Sequence, residues 1–327
     1  MQHKDKATLF CLLTVTIASA ILTRTTQGLA DTPAQGLKRQ EIRDNIFSSA
    51  ILSDTEYLIV GDRGKIFRSA DRGETWDEMA SGTEVPLFSV SFPDSTYGWI
   101  TGKSGLILHS SDGGKSWTPQ KSGTDKHLLS VSFVDPKHGC AAGDWGSIVV
   151  TEDGGATWDG VNLEEDIILY GVQLIDTSRG CIIGEFGRIF GTEDGGRTWG
   201  SLPSPVEQSL FCLCRDGDLL YAGGLDGVLL YSQDRGVSWS KANRDSEQSI
   251  YGIAVKGQTG WAVGDSGTML NSHDGGASWQ AVEIPMLMKL FWIGTASLHS
   301  GSNGEISGFG AGAHGVFFTL KGSTLSW

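Results

Sequence analysis

Six tryptophans recur along the chain at intervals of 41, 41, 41, 40 and 40 residues, a regularity that constrains the fold more than any other feature. These residues are Trp76, Trp117, Trp158, Trp199, Trp239 and Trp279. A glycine stands 15 residues before each of them, at Gly61, Gly102, Gly143, Gly184, Gly224 and Gly264. Gly312 bears the same relation to Trp327, the last residue. The chain therefore contains seven repeats, and a period of this length is typical of propellers and other repeat folds.

Each repeat has room for four short strands. An alternating apolar run such as 87–92 is followed by a polar turn, and a second run ends in a Gly-x-x-Gly sequence such as 264–267. A third run leads to the tryptophan, where a more polar fourth strand begins. Sheets of this size that pack face to face around an axis bury both faces and leave only short edges. The sequence predicts an all-β fold, a seven-bladed β-propeller of four-stranded blades.

The two ends of the chain predict how the ring closes. Trp327 stands where the fourth strand of the seventh blade should begin, so that blade lacks a strand of its own. Counting one repeat back from Trp76 reaches Gln35, and residues 37–42 occupy the place of a fourth strand with no first three strands before it. We therefore expect this N-terminal strand to complete the seventh blade and close the ring.

A second recurring motif, the Asp box, reads Ser/Thr-x-Asp-x-Gly-x-Ser/Thr-Trp. Intact copies occupy residues 69–76, 110–117, 151–158, 192–199, 232–239 and 272–279. In the seventh repeat Leu320 and Gly322 replace the hydroxyl residue and the aspartate. A carboxylate that accepts hydrogen bonds from N–H groups of its own turn stabilises that turn, whereas a catalytic residue has no reason to recur in every blade. We interpret the aspartates as turn staples with no catalytic or calcium-binding role.

The N-terminus has the features of an export signal. Lys4 and Lys6 precede an uncharged run over residues 7–22, and small residues before Asp31 favour cleavage after Ala30. The uncharged run is shorter than the roughly 20 residues of a spanning helix, although an uncleaved membrane anchor is the alternative. We expect a signal peptide over 1–30, a propeller over 31–327, and a location in the periplasm, or in the thylakoid lumen if the cell is photosynthetic.

The charge of the chain limits its partners. It carries 38 acidic and 25 basic side chains, a formal net charge of −13. Nucleic acids and anionic membranes are bound by basic patches, so we expect neither partner. The balance is compatible with a basic or neutral partner, and we expect a monomer.

Four cysteines follow the predicted signal, and their spacing does not indicate a metal site. Cys212 and Cys214 share one strand face and cannot easily bridge each other. Cys140 and Cys181 occupy equivalent places in neighbouring repeats, so a disulfide between them is an alternative. We interpret all four as buried free thiols and predict no metal or other cofactor. Cys11, in the apolar run of the signal, lacks the small neighbours of a lipoprotein site, and no lipid anchor is expected.

Residues 262–279 join Ala-Val-Gly-x-x-Gly to an Asp box that ends in Asp-Gly-Gly-x-Ser-Trp. In this register the chain resembles, over about residues 36–327, the photosystem II stability/assembly factor propellers of cyanobacteria and chloroplasts and their relatives in non-photosynthetic bacteria. The resemblance implies a non-enzymatic scaffold in the lumen or periplasm that binds an exposed segment of a membrane protein through an arginine-rich patch. Here the arginines form no cluster in the repeat register, so a paralogue serving another membrane complex is also open.

Function should lie in residues that differ between repeats, and the Gly-x-x-Gly turns at the axial end of the blades hold several of them. The binding candidates are Asp62, Arg63, Lys103, Asp144, Trp145, Glu185, Phe186, Arg188, Asp226, Asp265 and His314. This set is acidic and partly aromatic. We interpret the acids as partners of N–H groups in their own turns. Trp145 and Phe186 either contact a peptide or sugar or cap the core.

An Asp-box glycoside hydrolase, sialidase-like or of another carbohydrate-active kind, is the alternative function. A sialidase needs three convergent arginines and a Tyr–Glu pair, and residues 41–43 read Glu-Ile-Arg in place of its Arg-Ile-Pro signature. Other glycosidases need only two carboxylates at a suitable separation, which the acidic turns could supply. A receptor-like extracellular module is a third candidate. We predict a binding scaffold without catalytic residues, and two carboxylates in an axial pocket would favour the hydrolase.

Overall fold

The computed structural model describes residues 37–38, 41–163, 165–301, 304–321 and 324–326. The predicted signal peptide lies outside these residues. Strands account for most of the regular structure within them, and the helical elements are short 3-10 turns. In this part of the chain, no helix has both the length and the apolar character that crossing a membrane requires.

The first four repeats form four sheets. The first contains β1 (Leu37–Lys38), β2 (Ile46–Ile51), β3 (Tyr57–Gly61), β4 (Ile66–Ser69) and β5 (Thr75–Met79). The second contains β6 (Leu87–Ser91), β7 (Gly98–Gly102), β8 (Leu106–Ser110) and β9 (Thr118–Lys121). The third contains β10 (Leu128–Phe133), β11 (Gly139–Gly143), β12 (Ser147–Thr151) and β13 (Asp159–Asn162). The fourth contains β14 (Leu169–Leu174), β15 (Gly180–Gly184), β16 (Ile189–Thr192) and β17 (Gly200–Leu202).

The last three repeats complete the ring. The fifth sheet contains β18 (Leu210–Asp216), β19 (Leu219–Gly224), β20 (Leu229–Ser232) and β21 (Ser240–Lys241). The sixth contains β22 (Asn243–Arg244), β23 (Ile250–Lys256), β24 (Thr259–Gly264), β25 (Met269–Ser272) and β26 (Ser278–Ala281). The seventh contains β27 (Ile293–Ser300), β28 (Ile306–Gly312), β29 (Phe317–Lys321) and β30 (Thr324–Ser326). The predicted seven-bladed β-propeller is confirmed.

The antiparallel order of each blade gives the propeller two distinct faces. The first strand of a blade is innermost, and the second, third and fourth follow outward. Because neighbouring strands run in opposite directions, the loops after the first and third strands emerge on one face, which includes the Asp boxes and which we call the box face. The loop after the second strand and the connection to the next blade emerge on the other, which we call the turn face.

The core lies between neighbouring sheets. Leu58 and Ile66 of the first blade pack against Ile100 and Trp117 of the second, and all four are buried. The same arrangement recurs around the ring, and each tryptophan of an Asp box covers apolar surface between two blades. Burial of apolar surface between repeats is the main source of stability in folds of this kind.

Serines of the inner strands add hydrogen bonds between neighbouring blades. The Ser89 hydroxyl of the second blade accepts the Val131 N–H of the third at 3.2 Å, and Ser132 of the third accepts the Leu174 N–H of the fourth at 2.9 Å. A second bond joins each of these pairs of blades, and an equivalent bond joins the first and second blades. The serines that face the axis are therefore part of the scaffold.

The ring does not close as the sequence predicts. β1 pairs with β5 on the outside of the first blade, with Leu37 opposite Trp76, and the seventh blade has its own fourth strand, β30. The reason is the lost Asp box of the seventh repeat. Lys321 already pairs with Thr324, so the fourth strand starts earlier than in the other blades and fits before Trp327.

Contacts between the first and seventh blades close the ring instead. The Ser49 hydroxyl lies 2.8 Å from both Thr295 Oγ1 and Ser297 Oγ. Trp76 packs on Phe309 of the seventh blade, with ring centroids 5.5 Å apart. No strand is exchanged between the two ends of the chain in this part of the structure, so closure depends on packing and side-chain hydrogen bonds.

The Asp boxes staple their own loops, as the sequence predicts. In the fourth blade the Asp194 carboxylate accepts the Thr198 N–H at 2.9 Å, the Thr198 hydroxyl at 2.6 Å and the Thr192 hydroxyl at 2.8 Å. The bonds from Thr198 lower the pKa of Asp194 to about 2, and the equivalent bonds from Thr157 do the same for Asp153. The carboxylates are thereby committed to their own turns.

The four cysteines are free thiols, as predicted. Cys140 and Cys181 are buried, while Cys212 and Cys214 are half-buried. Burial raises the pKa of Cys181 and of Cys214 to about 12, and it raises that of Cys140 and Cys212 as well. A thiol is nucleophilic only as the thiolate, so at neutral pH these groups behave as apolar core side chains.

Candidate functional site

The Gly-x-x-Gly sequences form seven equivalent turns on the turn face. Each continues into a three-residue 3-10 turn: Asp62–Gly64, Lys103–Gly105, Asp144–Gly146, Glu185–Gly187, Leu225–Gly227, Asp265–Gly267 and Ala313–Gly315. The first residue of each of the seven turns donates its N–H to the carbonyl of the residue just before an inner strand, as Glu185 does to Ile168 at 3.0 Å. These backbone bonds hold all seven turns beside the axis whichever side chains the turns carry.

The middle residue of every turn has a left-handed backbone. The φ angles run from 51° to 58° at Arg63, Ser104, Trp145, Phe186, Asp226, Ser266 and His314. This region costs an L-residue roughly 1–2 kcal/mol, and bulky side chains are rare in it. Strain of this kind is often retained where a side chain has a function. Trp145 and Phe186 are therefore the least expected occupants of the seven positions.

The glycine that ends each turn is required by packing. At Gly187, where φ is +68°, an added Cβ would lie 2.1 Å from the Val206 carbonyl oxygen. The turn thus rests directly on the connection to the next blade. This close approach leaves no room for a side chain at the position that ends the turn.

Apolar side chains on three successive turns are exposed. The exposed fractions are 58% for Trp145, 67% for Phe186 and 39% for Leu225. Trp145 and Phe186 therefore do not cap the core, which was one of the two interpretations from sequence. Leu225 was not among the candidates from sequence, which included its charged neighbour Asp226. Leu225 is the first residue of the turn and Asp226 is the middle residue.

The charged candidates are largely engaged with their own turns or with neighbouring loops. The Glu185 carboxylate accepts the Ile168 N–H at 2.9 Å, and the Asp265 carboxylate accepts the Ser266 N–H at 2.9 Å. Asp62 accepts the Asn45 side-chain amide at 2.7 Å. The interpretation of the acids as partners of N–H groups in their own turns thus holds for Asp265. Glu185 instead accepts a backbone N–H from the residue before an inner strand, and Asp62 accepts a side-chain amide.

Two of the four basic candidates, Arg63 and Arg188, form ion pairs. Arg63 contacts Asp44, and Arg188 contacts Glu165 while its guanidinium lies 5.2 Å from the Phe190 ring centroid. Burial raises the pKa of Asp62 and of Asp144 above the ordinary value for aspartate.

The other two basic candidates take part in backbone hydrogen bonds. The Lys103 N–H donates to the Pro86 carbonyl at 3.1 Å, and the His314 N–H donates to the Asn45 side chain at 3.1 Å. All eleven candidates thus lie on the turn face.

An axial cavity of about 490 Å³ runs between the inner strands of all seven blades. Aromatic side chains occupy the second position of five inner strands, next to the turn face: Phe47, Phe88, Tyr170, Phe211 and Tyr251. Their ring centroids are 5.1 Å apart for Tyr170 and Phe211 and 5.8 Å apart for Phe211 and Tyr251. We call these five residues the aromatic collar. Sequence reasoning missed it, although its signal is an aromatic residue at a fixed place in five repeats.

The cavity has a lining unlike that of a glycosidase. None of the residues that line it is Asp or Glu, so the pair of carboxylates that glycoside hydrolysis requires does not meet there. Arg215 is the arginine among the lining residues, and it donates to the Leu174 carbonyl at 3.1 Å. Three arginines that converge on a ligand carboxylate are therefore not found in this cavity.

An insertion before the seventh blade adds a second exposed apolar element. The glycines Gly264 and Gly312 are 48 residues apart, in place of the usual 40 or 41. Trp279 and Ile293 are 14 residues apart where Trp239 and Ile250 are 11 apart, so three additional residues lengthen the connection that crosses the turn face. The others lengthen the first hairpin of the seventh blade. A 3-10 turn, Met286–Leu290, lies in this connection, and Met286, Leu287 and Leu290 are 84%, 73% and 74% exposed. The irregular spacing is the signal that could have revealed it.

The arginines do not form a shared patch. Those of the described blades contact acids or backbone carbonyls close to themselves, for example Arg68 with Glu56 and Arg179 with Asp176. Arg244 donates to the Ser246 and Asp226 carbonyls at 2.7 and 2.8 Å. The departure from an arginine-rich docking patch, noted from the sequence, thus has a structural counterpart.

Comparison with solved structures supports the fold assignment. YCF48 from Cyanidioschyzon merolae is 21% identical with a TM-score of 0.67, covering 85% of this chain and 96% of its own. A YCF48 bound to a D1 peptide is 18% identical with a TM-score of 0.66, covering 89% and 96%. The GH74 xyloglucanase from Xanthomonas campestris is 11% identical with a TM-score of 0.69, covering 89% of this chain and 53% of the enzyme. At these identities the likeness establishes the propeller fold alone.

Comparison of the sequence with protein families gives the stronger result. No curated protein matches the chain. The family model for the photosynthesis system II assembly factor YCF48 matches residues 36–122, 116–204 and 158–247. These matches overlap and together cover more than half of the chain, in the register of the repeats described above. The protein therefore belongs to the YCF48 assembly factor family.

Proposed function

We propose that the protein is a non-enzymatic assembly factor that binds an exposed segment of a membrane protein on its turn face, in the periplasm or the thylakoid lumen. The observation that carries the proposal is the pair Trp145 and Phe186. Both are bulky, both are more than half exposed, and both have left-handed backbones that cost free energy. Exposed aromatic residues on a rigid scaffold are typical of binding surfaces.

Family membership and the cavity lining support the same proposal. A YCF48 structure contains a bound D1 peptide, so the fold presents a peptide-binding surface in at least one relative. The axial cavity of the present protein is lined by no carboxylate among its described residues, and the Asp-box carboxylates are bonded within their own loops. The groups needed for general acid and base chemistry therefore do not converge in that cavity.

Affinity capture from the native membrane fraction tests this function. The wild-type protein should retain a membrane protein, and Phe186→Ser should retain much less of it. Val237→Ser is the matched control, because Val237 is 60% exposed but lies in an Asp box on the opposite face. An assay for release of sugar from glycoside substrates runs in parallel. Glycoside turnover with no membrane protein retained would overturn the proposal in favour of the hydrolase.

A further inference from the structure

The exposed apolar residues of the turn face are confined to one side of the ring. They follow the turns of the third, fourth and fifth blades and the insertion between the sixth and seventh: Trp145, Phe186, Leu225, Met286, Leu287 and Leu290. We call these six residues the apolar half-ring. Met288, in the same insertion, packs against the sixth-blade turn at Gly267, so the insertion lies beside the sixth-blade turn and the half-ring spans the third to the sixth blade.

The other side of the turn face is polar. The middle turn residues of the seventh, first and second blades are His314, Arg63 and Ser104. None of the large apolar side chains that are exposed in the described chain lies on the turns or blade connections of this side. The Gly-x-x-Gly turns have the same backbone on both sides, so among the turns the difference lies in the side chains, and the insertion adds further apolar side chains on one side only.

Charged side chains are also distributed unequally between the two sides of the turn face. On the connections and turns around the apolar half-ring, six exposed carboxylates among the described residues are those of Asp166, Glu207, Asp226, Asp245, Glu247 and Glu283. Among the described residues of those segments Lys289 is the one exposed base, and Lys241 is exposed at the adjoining end of β21. Arg188 and Arg244 are half-buried, the first paired with Glu165 and the second bonded to carbonyls. On the polar side, the exposed acids Glu41, Glu84 and Asp125 are matched in number by the exposed bases Arg43, Arg63 and Lys126. Arg63 is paired with Asp44, and Lys126 with Asp125.

Three of the five residues of the aromatic collar lie on the same side of the ring, next to the axis, while Phe47 and Phe88 lie on the polar side. Tyr170, Phe211 and Tyr251 belong to the fourth, fifth and sixth blades, and their rings are in contact. Asp265 lies close enough to Tyr251 to contribute, after burial, to the raised pKa of its hydroxyl. Aromatic faces beside carboxylates attract ammonium and guanidinium groups. Cation-binding chemistry is therefore available where the half-ring meets the axial cavity.

We infer that the apolar half-ring and its carboxylates bind a cationic peptide segment that also carries apolar side chains. This inference rests on the proposed function and names the chemistry of the segment. Apolar residues of the ligand cover the half-ring, while lysine or arginine side chains meet the carboxylates and the collar. An anionic lipid surface would be repelled by the same carboxylates, so we assign the site to a protein segment.

Two labelled peptides test the chemistry directly. One alternates lysine with leucine around a central proline that limits self-association, and the other has glutamate in place of each lysine. Fluorescence anisotropy should show binding of the lysine peptide that weakens as salt is added, and little binding of the glutamate peptide. Equal binding of both peptides, or binding of neither, would overturn the inference.

Matched charge variants locate the site. The triple variant E207Q/D226N/E247Q should weaken binding of the lysine peptide by about tenfold, since exposed charge pairs each contribute modestly. The triple variant E41Q/E84Q/D125N changes net charge equally on the polar side, and it should change binding by less than about twofold. Equal losses from both variants would show a diffuse charge effect and would contradict the assigned site. Thermal unfolding of each variant checks that the fold is intact.

Two further measurements separate this inference from others. Sedimentation with phosphatidylcholine vesicles that depends on Leu287 and Leu290, without peptide binding, would assign the half-ring to lipid and overturn the inference. Capture of a membrane protein that is unaffected by E207Q/D226N/E247Q would also overturn it, while leaving the proposed function intact. If the wild-type protein captures no membrane protein but still binds the lysine peptide at the half-ring, the proposed function is contradicted instead.

Discussion

The box face and the turn face are made by loops of the same seven repeats, but the loops are held in different ways. On the box face, Asp194 and its equivalents bond the N–H and hydroxyl groups of their own loops, so the same side chains recur in six blades. On the turn face, backbone bonds and a terminal glycine hold each turn. Side chains that stabilise a loop are not available to bind a partner. Where the backbone stabilises the loop, its side chains can differ from blade to blade.

The largest expected contrast between the two faces concerns tryptophan. Trp76→Ala should lower the free energy of unfolding by about 3–5 kcal/mol, because Trp76 is fully buried where the first blade meets the seventh. Trp145→Ala should lower it by less than about 0.5 kcal/mol, because Trp145 is exposed on the turn face. Urea unfolding measures both. Equal losses would show that the turn face is part of the folding core.

The same contrast applies to aspartate. Asp194→Ala should destabilise the fold by about 1 kcal/mol, because it leaves the Thr198 N–H and hydroxyl without their acceptor. Asp226→Ala should leave stability within about 0.5 kcal/mol of wild type, since Asp226 is exposed on the turn face. Chemical denaturation of the two variants side by side decides the point, and a larger loss from Asp226→Ala would refute it.

Acid should destabilise the protein by protonating the Asp-box carboxylates of the box face. The folded pKa of Asp153 and Asp194 is about 2, below the ordinary 3.8. Stability from these groups is therefore complete above about pH 4 and is lost as the pH falls toward 2. Asp62 and Asp144 act in the opposite sense, because their raised pKa makes protonation favourable in the folded state. Melting temperatures between pH 5 and pH 2 should fall less steeply in Asp194→Ala than in wild type.

The smallest expected effect tests the strain at the turn face. Phe186→Gly should raise stability by about 0.5 kcal/mol, since glycine removes the cost of a left-handed backbone but gives up chain entropy. It should also weaken capture of the membrane protein. Ser266→Gly is the matched control, with the same backbone and no aromatic ring. Loss of stability in Phe186→Gly but not in Ser266→Gly would show that the phenyl ring serves the fold.

The repeat made the fold predictable and the site only partly so. The spacing of Trp76 and its equivalents predicts seven blades because every blade obeys one packing rule, and the structure confirms them. Ring closure was predicted wrongly, because the rule fails where the seventh Asp box is lost and β30 starts early. The turns that hold Trp145 and Phe186 were found from the same register.

Features outside the repeat register were missed for a related reason. Leu225 and the apolar side chains of Met286–Leu290 are exposed by local geometry, and an apolar residue in sequence is ordinarily assigned to the core. The aromatic collar depends on which inner-strand side chains converge at the axis. That convergence is seen only when the seven blades are placed in three dimensions. Sequence thus identified the turn face but not which half of it is apolar.

Site-specific photocrosslinking tests the central claim, that the turn face and not the box face contacts the partner. A benzophenone amino acid is placed at Phe186 in one variant and at Val237 in another, two exposed positions on opposite faces. After irradiation with the native membrane fraction, the account predicts a crosslinked membrane protein from position 186 and none from position 237. A crosslink from position 237 with none from 186 would contradict it.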